Sequence, residues 1–485
     1  MCHKDTGWVR AYRSHGIYGD YLCDSPWALV SSAINVMKQI QPEPDFILWT
    51  GDSVPHVPTK ELSLTKVFML IGNVTQELLR VFPDTPIYPS LGNHDALPQD
   101  QVPVGPASYY DEILGYSGWH QMLDDSSVKT FKQGGFYSTA TKSGLQVIAL
   151  NTILWYTRDK QIDNKTDPSG QFEWLTTQLK QARDEGRKVL LSGHISPGVF
   201  AQAKGISWYY PIFNVRFLNL LQNYSDVITS TIFGHEHTDG FRVVYNKQGK
   251  PIIPMFLAPA VTPWKSSLPT VGPNNPSVRL YHYNKTSGEI LDYFQYYLNM
   301  TAANLARKAH WLLEYQPTAN YGISDVSAKS LDQLLKSFET PSSENFRKYY
   351  VYNSVSYDNL TKCDGFCKQY HICAMLYVDY EDYKNCLDER MLKSGASPYD
   401  DGGHRWPHHR HWHRIHKRHH KVPAYMFIVI CVLAVLVFLL FIIIALLCWG
   451  RRYPSRPMGY FSQPRYILLS SEQPNFPEYA NTKYT

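Results

Sequence analysis

The sequence predicts an α/β fold: a layered β-sandwich flanked by helices, then a small helical C-terminal subdomain and one transmembrane helix. Three observations carry this. Short apolar runs alternate with amphipathic stretches through residues 1–300, the pattern of layered strands and helices. From Thr301 to Leu392 strand signals fade and helical spacing dominates,. From Tyr425 to Trp449 the chain is almost unbroken Ile, Leu, Val, Phe, Ala and Met without a charge. At about 1.5 Å per residue that run crosses about 30 Å of hydrocarbon. The chain of 485 residues therefore divides into a first domain at 1–300, a helical, cysteine-bearing subdomain at 301–392, a His/Arg-rich linker at 393–421, a span at 422–449 and a tail at 450–485.

In chain order, Trp27 to Ile40 reads as a helix, and Phe46–Thr50, Ile87–Leu91, Lys188–Ser192 and Thr229–Phe233 read as buried strands,. Between them, Gln171 to Asp184 sets Phe172, Trp174, Leu175 and Leu179 near helical spacing, and Leu331 to Phe338 typifies the second unit. Each strand runs into a polar block: Gly51-Asp52, Gly92-Asn93-His94-Asp95, Gly193-His194 and Gly234-His235-Glu236-His237. Residues at the carboxyl ends of strands line the crevice where open α/β sheets bind ligands.

The formal charge of +5 hides an asymmetry: residues 404–485 carry 11 Lys/Arg against 2 Asp/Glu, leaving 36 against 40 in the remainder. A mildly acidic first part without a basic stripe excludes a nucleic-acid polymer as main partner. Eight cysteines include Cys431 and Cys448 in the apolar span; the other six are Cys2, Cys23, Cys363, Cys367, Cys373 and Cys386. That even count joins six Asn-x-Ser/Thr acceptors, at Asn73, Asn164, Asn223, Asn284, Asn299 and Asn359. Together they point to the oxidising secretory route and a domain facing the cell exterior or an endolysosomal lumen. A zinc site at the four clustered cysteines is the rival, disfavoured because no C-x-x-C pair occurs there.

No apolar leader follows Met1-Cys2-His3-Lys4, so the expectation is a chain lacking its upstream beginning. The linker packs eight His and six Lys/Arg into His404–Lys421; it reads as a solvated stalk, or as a patch that charges in acid and is drawn to anionic headgroups. The polar tail beyond the span excludes a removable lipid-anchor signal. More Lys/Arg flank the span before than after, against the positive-inside rule, but large domains translocate regardless of charge. In the tail, Tyr466–Leu469 matches a tyrosine-based signal for a sorting adaptor.

Oxygen and nitrogen ligands with one shared carboxylate are what a two-metal site for phosphate-ester hydrolysis requires. Asp52 suits the bridge, Asn93, His194 and His235 complete one shell, and His237 reaches the second ion. His94 is left to protonate the leaving oxygen, with His56 assisting. Glu236 is expected to face solvent. Such sites normally open with Asp-x-His, which does not occur before Asp52; the candidates to replace it are His3, Asp5 and His15.

Gly19–Trp27, Ile47–Asp52, Gly92–Asp95, Ala258–Lys265, Arg347–Tyr357 and the Cys363-x3-Cys367, Cys373-x12-Cys386 spacings resemble the acid sphingomyelinase-like phosphodiesterases over roughly residues 2–390. The resemblance implies a calcineurin-like metallophosphoesterase fold, two zinc ions, and hydrolysis of phosphodiester or nucleotide phosphate bonds on the extracytoplasmic side. It implies the ligand set above, with His94 and His56 as the acid-side pair. It also implies bridges Cys2–Cys23, Cys363–Cys367 and Cys373–Cys386. The missing Asp-x-His leaves one zinc weakly held. The substrate is then a small phosphodiester, a nucleotide or a phospholipid. The alternatives are a sphingomyelin phosphodiesterase, a polyphosphatase, or a catalytically impaired membrane protein that modulates lipids or receptors by binding.

Overall fold

Pro42 forces Gln41 into an extended conformation and ends the first helix, Trp27–Ile40, which buries Leu29, Ala33, Ile34 and Val36 on one face,. The next helix, Leu64–Val81, starts at Ser63, whose hydroxyl accepts from the Lys66 N–H, and buries Val67, Phe68, Ile71 and Leu78,. These features come from a computed structural model that describes residues 16–162, 164–202, 205–265 and 271–393. Cys2, His3, Asp5, His15, Tyr466, the linker beyond its first residue, the span and the tail lie outside the described residues. Among the described residues no helix is long and apolar enough to cross a membrane.

Strands β1 (Ile47–Trp49) and β2 (Ile87–Pro89) pair in parallel, with Ile47 opposite Ile87. The larger sheet contains β3 (Tyr137–Ala140), β4 (Gln146–Ala149), β5 (Val189–Ser192), β6 (Ile228–Phe233), β7 (Gly240–Tyr245) and β8 (Pro251–Leu257). Its order is β3-β4-β5-β6-β8-β7, parallel through β4, β5, β6 and β8 with antiparallel edges. A third, antiparallel sheet sets β9 (Ser277–Tyr283) against β10 (Ile290–Leu298) and β10 against β11 (Trp311–Tyr315).

Alternation along the strands splits the core into two layers. Val147, Leu190, Ile232 and Phe256 face a cluster that includes Tyr293, Tyr315 and Leu331, Leu334, Leu335 and Phe338 of the helix Ala328–Phe338. Their neighbours Ile148, Leu191, Phe233 and Leu257 face the helices Gln171–Asp184 and Pro211–Asn223 through Phe172, Leu175, Phe213 and Phe217. Central strands buried on both faces read as continuous apolar runs, which is why they were legible. The two predicted helices Trp27–Ile40 and Gln171–Asp184 have the same bounds in the structure, and the four predicted strands are trimmed or shifted by a residue or two at their ends.

One element departs from the expectation for residues 301–392. Trp311–Tyr315 is a strand. Leu312 and Leu313 are both exposed, so this sheet-edge strand lacks the alternation that marks a half-buried one. Disulfides join Cys363 to Cys367 and Cys373 to Cys386, as the resemblance implies, and exclude a zinc site at these four thiols.

Candidate metal centre and active site

The loops leaving β1 and β2 meet almost without a gap. A Cβ on Gly92 would overlap the Asp52 backbone nitrogen and Oδ1, and one on Gly51 would strike the Gly92 backbone. Only glycine permits that approach. Asp95 fastens the junction: its carboxylate accepts from the backbone N–H of Asp52 (3.0 Å), Ser53 (2.8 Å) and Gly92 (2.8 Å). The His94 N–H in turn donates to Asp52 Oδ1 at 2.9 Å. Asp52, His235 and His237 all lie in the left-handed region, with φ of 57°, 67° and 61°. Non-glycine residues pay about 1–3 kcal/mol for such backbone, a strain that clusters at functional sites.

Four donors converge at this junction. Asn93 Oδ1 lies 2.9 Å from both His194 Nε2 and His235 Nδ1, which are themselves 3.2 Å apart. Asp52 Oδ2 stands 3.1 Å from His194 Nε2. Ligands bound at about 2.1 Å to one ion sit about 3.0–3.4 Å from each other, so these separations fit a common divalent ion. Two of these donors are oriented from behind. His194 Nδ1–H donates to the Thr50 carbonyl at 2.7 Å, leaving Nε2 bare. The Asn93 amide nitrogen donates to Asp100 at 2.7 Å, turning its oxygen inward. The mixed imidazole, amide and carboxylate set suits a borderline divalent metal.

A second cluster adjoins the first: ligand atoms of Asp52, His56 and His94 lie within 4.8 Å of one another. Asp24 accepts from His56 Nδ1–H at 2.8 Å and from its backbone N–H at 2.9 Å. Trp264 stacks on the His56 ring at 4.1 Å, and the His94 ring lies 4.0 Å away. His94 Nδ1 and His235 Nε2 are buried with no hydrogen-bond partner. His237 packs against His56 at 5.1 Å and Trp264 at 6.2 Å, beside the two clusters rather than within either. A cavity of about 750 Å³ opens on Asp52, His56 and His237 and extends between β1 and β9, a volume that suits a small-molecule ligand.

Electrostatics hold His94, His235 and His237 in the neutral form that binds metal, whereas at His194 burial is outweighed by the charge and hydrogen bond of Asp52, which raise it. Burial, opposed by the charge of Asp52, pushes His94 down to about 4. Burial and then the His56 charge take His237 down to about 3, and burial holds His235 well below the usual imidazole range. At Asp24 burial works upward, but the His56 hydrogen bond and charge carry the carboxyl down to about 2. Burial, then the like charge of Asp52, pushes Asp95 up to about 7.

Residues 19–239 match the calcineurin-like phosphoesterase family, and residues 250–393 match the acid sphingomyelin phosphodiesterase C-terminal region. Over 388 residues, 79% of this chain and 84% of the relative, the sequence is 42% identical to acid sphingomyelinase-like phosphodiesterase 3b of Homo sapiens. The chain belongs to the acid sphingomyelinase-like phosphodiesterases. Two other relatives are a cyclic GMP-AMP phosphodiesterase of Homo sapiens, 41% identical over 78% of this chain and 83% of its own, and sphingomyelinase phosphodiesterase C of Dictyostelium discoideum, 37% identical over 76% and 83%. This acid sphingomyelinase-like phosphodiesterase is a phosphoric diester hydrolase, and its family implies divalent metal ions, which the converging donors fit.

Glu236 corrects the expectation that it faces solvent. Its side chain is 5% exposed and paired with Arg242, because left-handed residues on both sides break the strand alternation and turn it inward. Four supporting residues went unassigned in the sequence: Asp24, Asp95, Asp100 and Trp264. Asp95 stands in the Gly92–Asp95 block and carried a local signal. Asp24 and Trp264 reach His56 from 32 and 208 residues away in sequence, so only the tertiary fold reveals them.

Proposed function

We propose that this chain is a membrane-anchored zinc phosphodiesterase acting on small phosphodiesters or nucleotide phosphates on the extracytoplasmic side. The single observation that carries the reading is the convergence of Asp52, Asn93, His194 and His235 on one point, beside a second cluster sharing Asp52. Those four would hold one zinc; Asp52 and His237 would contribute to the second. Bound ions supply Lewis acidity to the phosphoryl oxygens and lower the pKa of the attacking water.

The protein's own groups do the rest. His94, with a free buried nitrogen, donates a proton to the leaving oxygen; negative charge arriving on the substrate raises its otherwise depressed affinity for that proton. Asp24 fixes the His56 tautomer with the proton on Nδ1, so that Nε2 is directed toward the cluster to assist His94. Trp264 closes the far face of His56 and limits water access. The relative that acts on cyclic GMP-AMP supports a nucleotide-type substrate; the relative named a sphingomyelinase supports the second reading, a phospholipid.

Anchoring rests on the apolar run at 422–449, with Tyr466 available to a sorting adaptor. All six acceptor asparagines are exposed, which supports glycosylation of a lumenal or extracellular domain. Enzymatic removal of N-glycans should lower the apparent mass of the expressed protein; an unchanged mass would argue against this orientation. For the chemistry, the detergent-solubilised full chain should hydrolyse a cyclic dinucleotide, lose that activity to a chelator and regain it with zinc. Turnover that survives chelation, or none with saturating zinc, would overturn the reading.

A further inference from the structure

Glu236 sits between two histidines of the site, yet it reaches away from the cavity into a buried polar cluster. We propose that Glu236 is a positioning residue that sets the relative orientation of the His194 and His235 rings, acting through Trp208 and Arg242. The inference rests on the reading of these histidines as ligands of one metal ion.

The first arm runs to His235. Glu236 Oε1 accepts from Trp208 Nε1–H at 2.8 Å, and the Trp208 ring stands edge-on to the His235 ring at 4.5 Å and 81°. Anchoring the indole at its nitrogen holds it against the imidazole in the orientation that brings Nδ1 to 2.9 Å from Asn93 Oδ1. The second arm runs to His194. The same Oε1 accepts from Arg242 Nη2 at 2.5 Å. Arg242 also donates to Ser196 Oγ at 2.8 Å, to the Pro197 carbonyl and to the Val199 carbonyl at 2.6 Å. Those acceptors belong to the loop that follows His194, which is pinned again where Gly198 N–H donates to Asn214 Oδ1 at 2.9 Å. One carboxylate therefore joins the turn carrying His235 to the loop leaving His194.

Glu236 and Arg242 are 5% and 3% exposed in their side chains. A buried ion pair is a weak device for stability, since its desolvation offsets most of its attraction. What this one adds is direction: every bond named above fixes an angle, and partners behind metal ligands typically change affinity 10–100-fold when lost.

The test uses the full-length protein loaded with cobalt(II) as a spectroscopic stand-in for zinc, with zinc affinity measured by competition against a chelator. Trp208→Phe keeps an aromatic ring and removes the donor; Glu236→Gln keeps the shape and removes the charge. Each should lower metal affinity by about 10–100-fold and shift the cobalt visible spectrum while far-UV circular dichroism stays unchanged. A merely structural role would lower thermal stability and leave the spectrum of the bound ion as it is. Wild-type affinity and spectrum in both variants would overturn the inference while leaving the metal reading intact. A wild-type protein that takes up no metal would overturn both.

Discussion

Removing the Asp95 carboxylate should loosen two loops that carry candidate metal ligands at once. In the native protein that side chain is fully buried and accepts three backbone N–H groups, two from the Asp52 loop and one from Gly92. Asp95→Ala strands all three donors. An unsatisfied buried donor costs about 1–3 kcal/mol, so three set a ceiling near 9 kcal/mol. Two effects reduce it: water can enter the space left by the carboxylate, and Asp52 loses a like-charged neighbour. A net loss of about 3–5 kcal/mol is expected for alanine. Asp95→Asn keeps one acceptor oxygen and turns an N–H₂ toward the remaining donors, for a loss of about 2 kcal/mol. Because Asp52 and Asn93 lie on opposite sides of the junction, the asparagine variant should also bind zinc at least about 10-fold more weakly. Denaturant unfolding of the metal-free protein gives the first quantity and chelator competition the second. An Asp95→Asn protein within about 0.5 kcal/mol of wild type and with unchanged zinc affinity would refute the view that this carboxylate holds the loops in register.

Three further outcomes follow from the same geometry. His94→Ala should cut phosphodiester turnover by about 10²–10⁴-fold with metal content near normal; loss of zinc instead would make His94 a ligand. Elemental analysis of the purified chain should find one tightly held zinc and a second that dialysis removes, because four donors converge on one point and His237 stands apart,; two zinc ions surviving dialysis would refute it. His371, buried against Tyr349, is pushed by burial down to about 4. Below its ordinary value near 6.5 the unfolded chain takes up a proton that the folded one refuses, so stability should fall by up to about 3 kcal/mol between pH 6.5 and pH 4. His371→Gln should remove that part of the slope in unfolding measured against pH, and an unchanged slope would assign the acid sensitivity elsewhere.

The parts of this molecule that were legible in its sequence are those whose constraint is local. A parallel strand buried on both faces must be a continuous apolar run, so Lys188–Ser192 and Thr229–Phe233 announced β5 and β6,. A side chain that reaches the crevice must follow directly on such a strand, so His194 and His235 stood out as candidate ligands with them. Gly51 and Gly92 were visible as residues but not as a reason, since the near-collision that demands them involves two loops 41 residues apart. Strand Trp311–Tyr315 was missed because consecutive exposed leucines at an edge obey no period.

The deeper limit concerns orientation. A sequence shows that an imidazole is present at a strand end, but not which nitrogen it offers. That is decided by the Thr50 carbonyl behind His194 and by Asp24 behind His56, just as Asp100 decides that Asn93 offers its oxygen. None of these leaves a periodic or spaced signal, because any acceptor at the right point would serve. Glu236 is the clearest case. Strand alternation sends it to solvent, whereas the left-handed turns at His235 and His237 send it inward to Arg242 and Trp208. The chemistry of such a site is written in its ligands, and its geometry in the residues behind them, so a reading from motifs alone recovers the reaction class before it recovers what makes the reaction efficient.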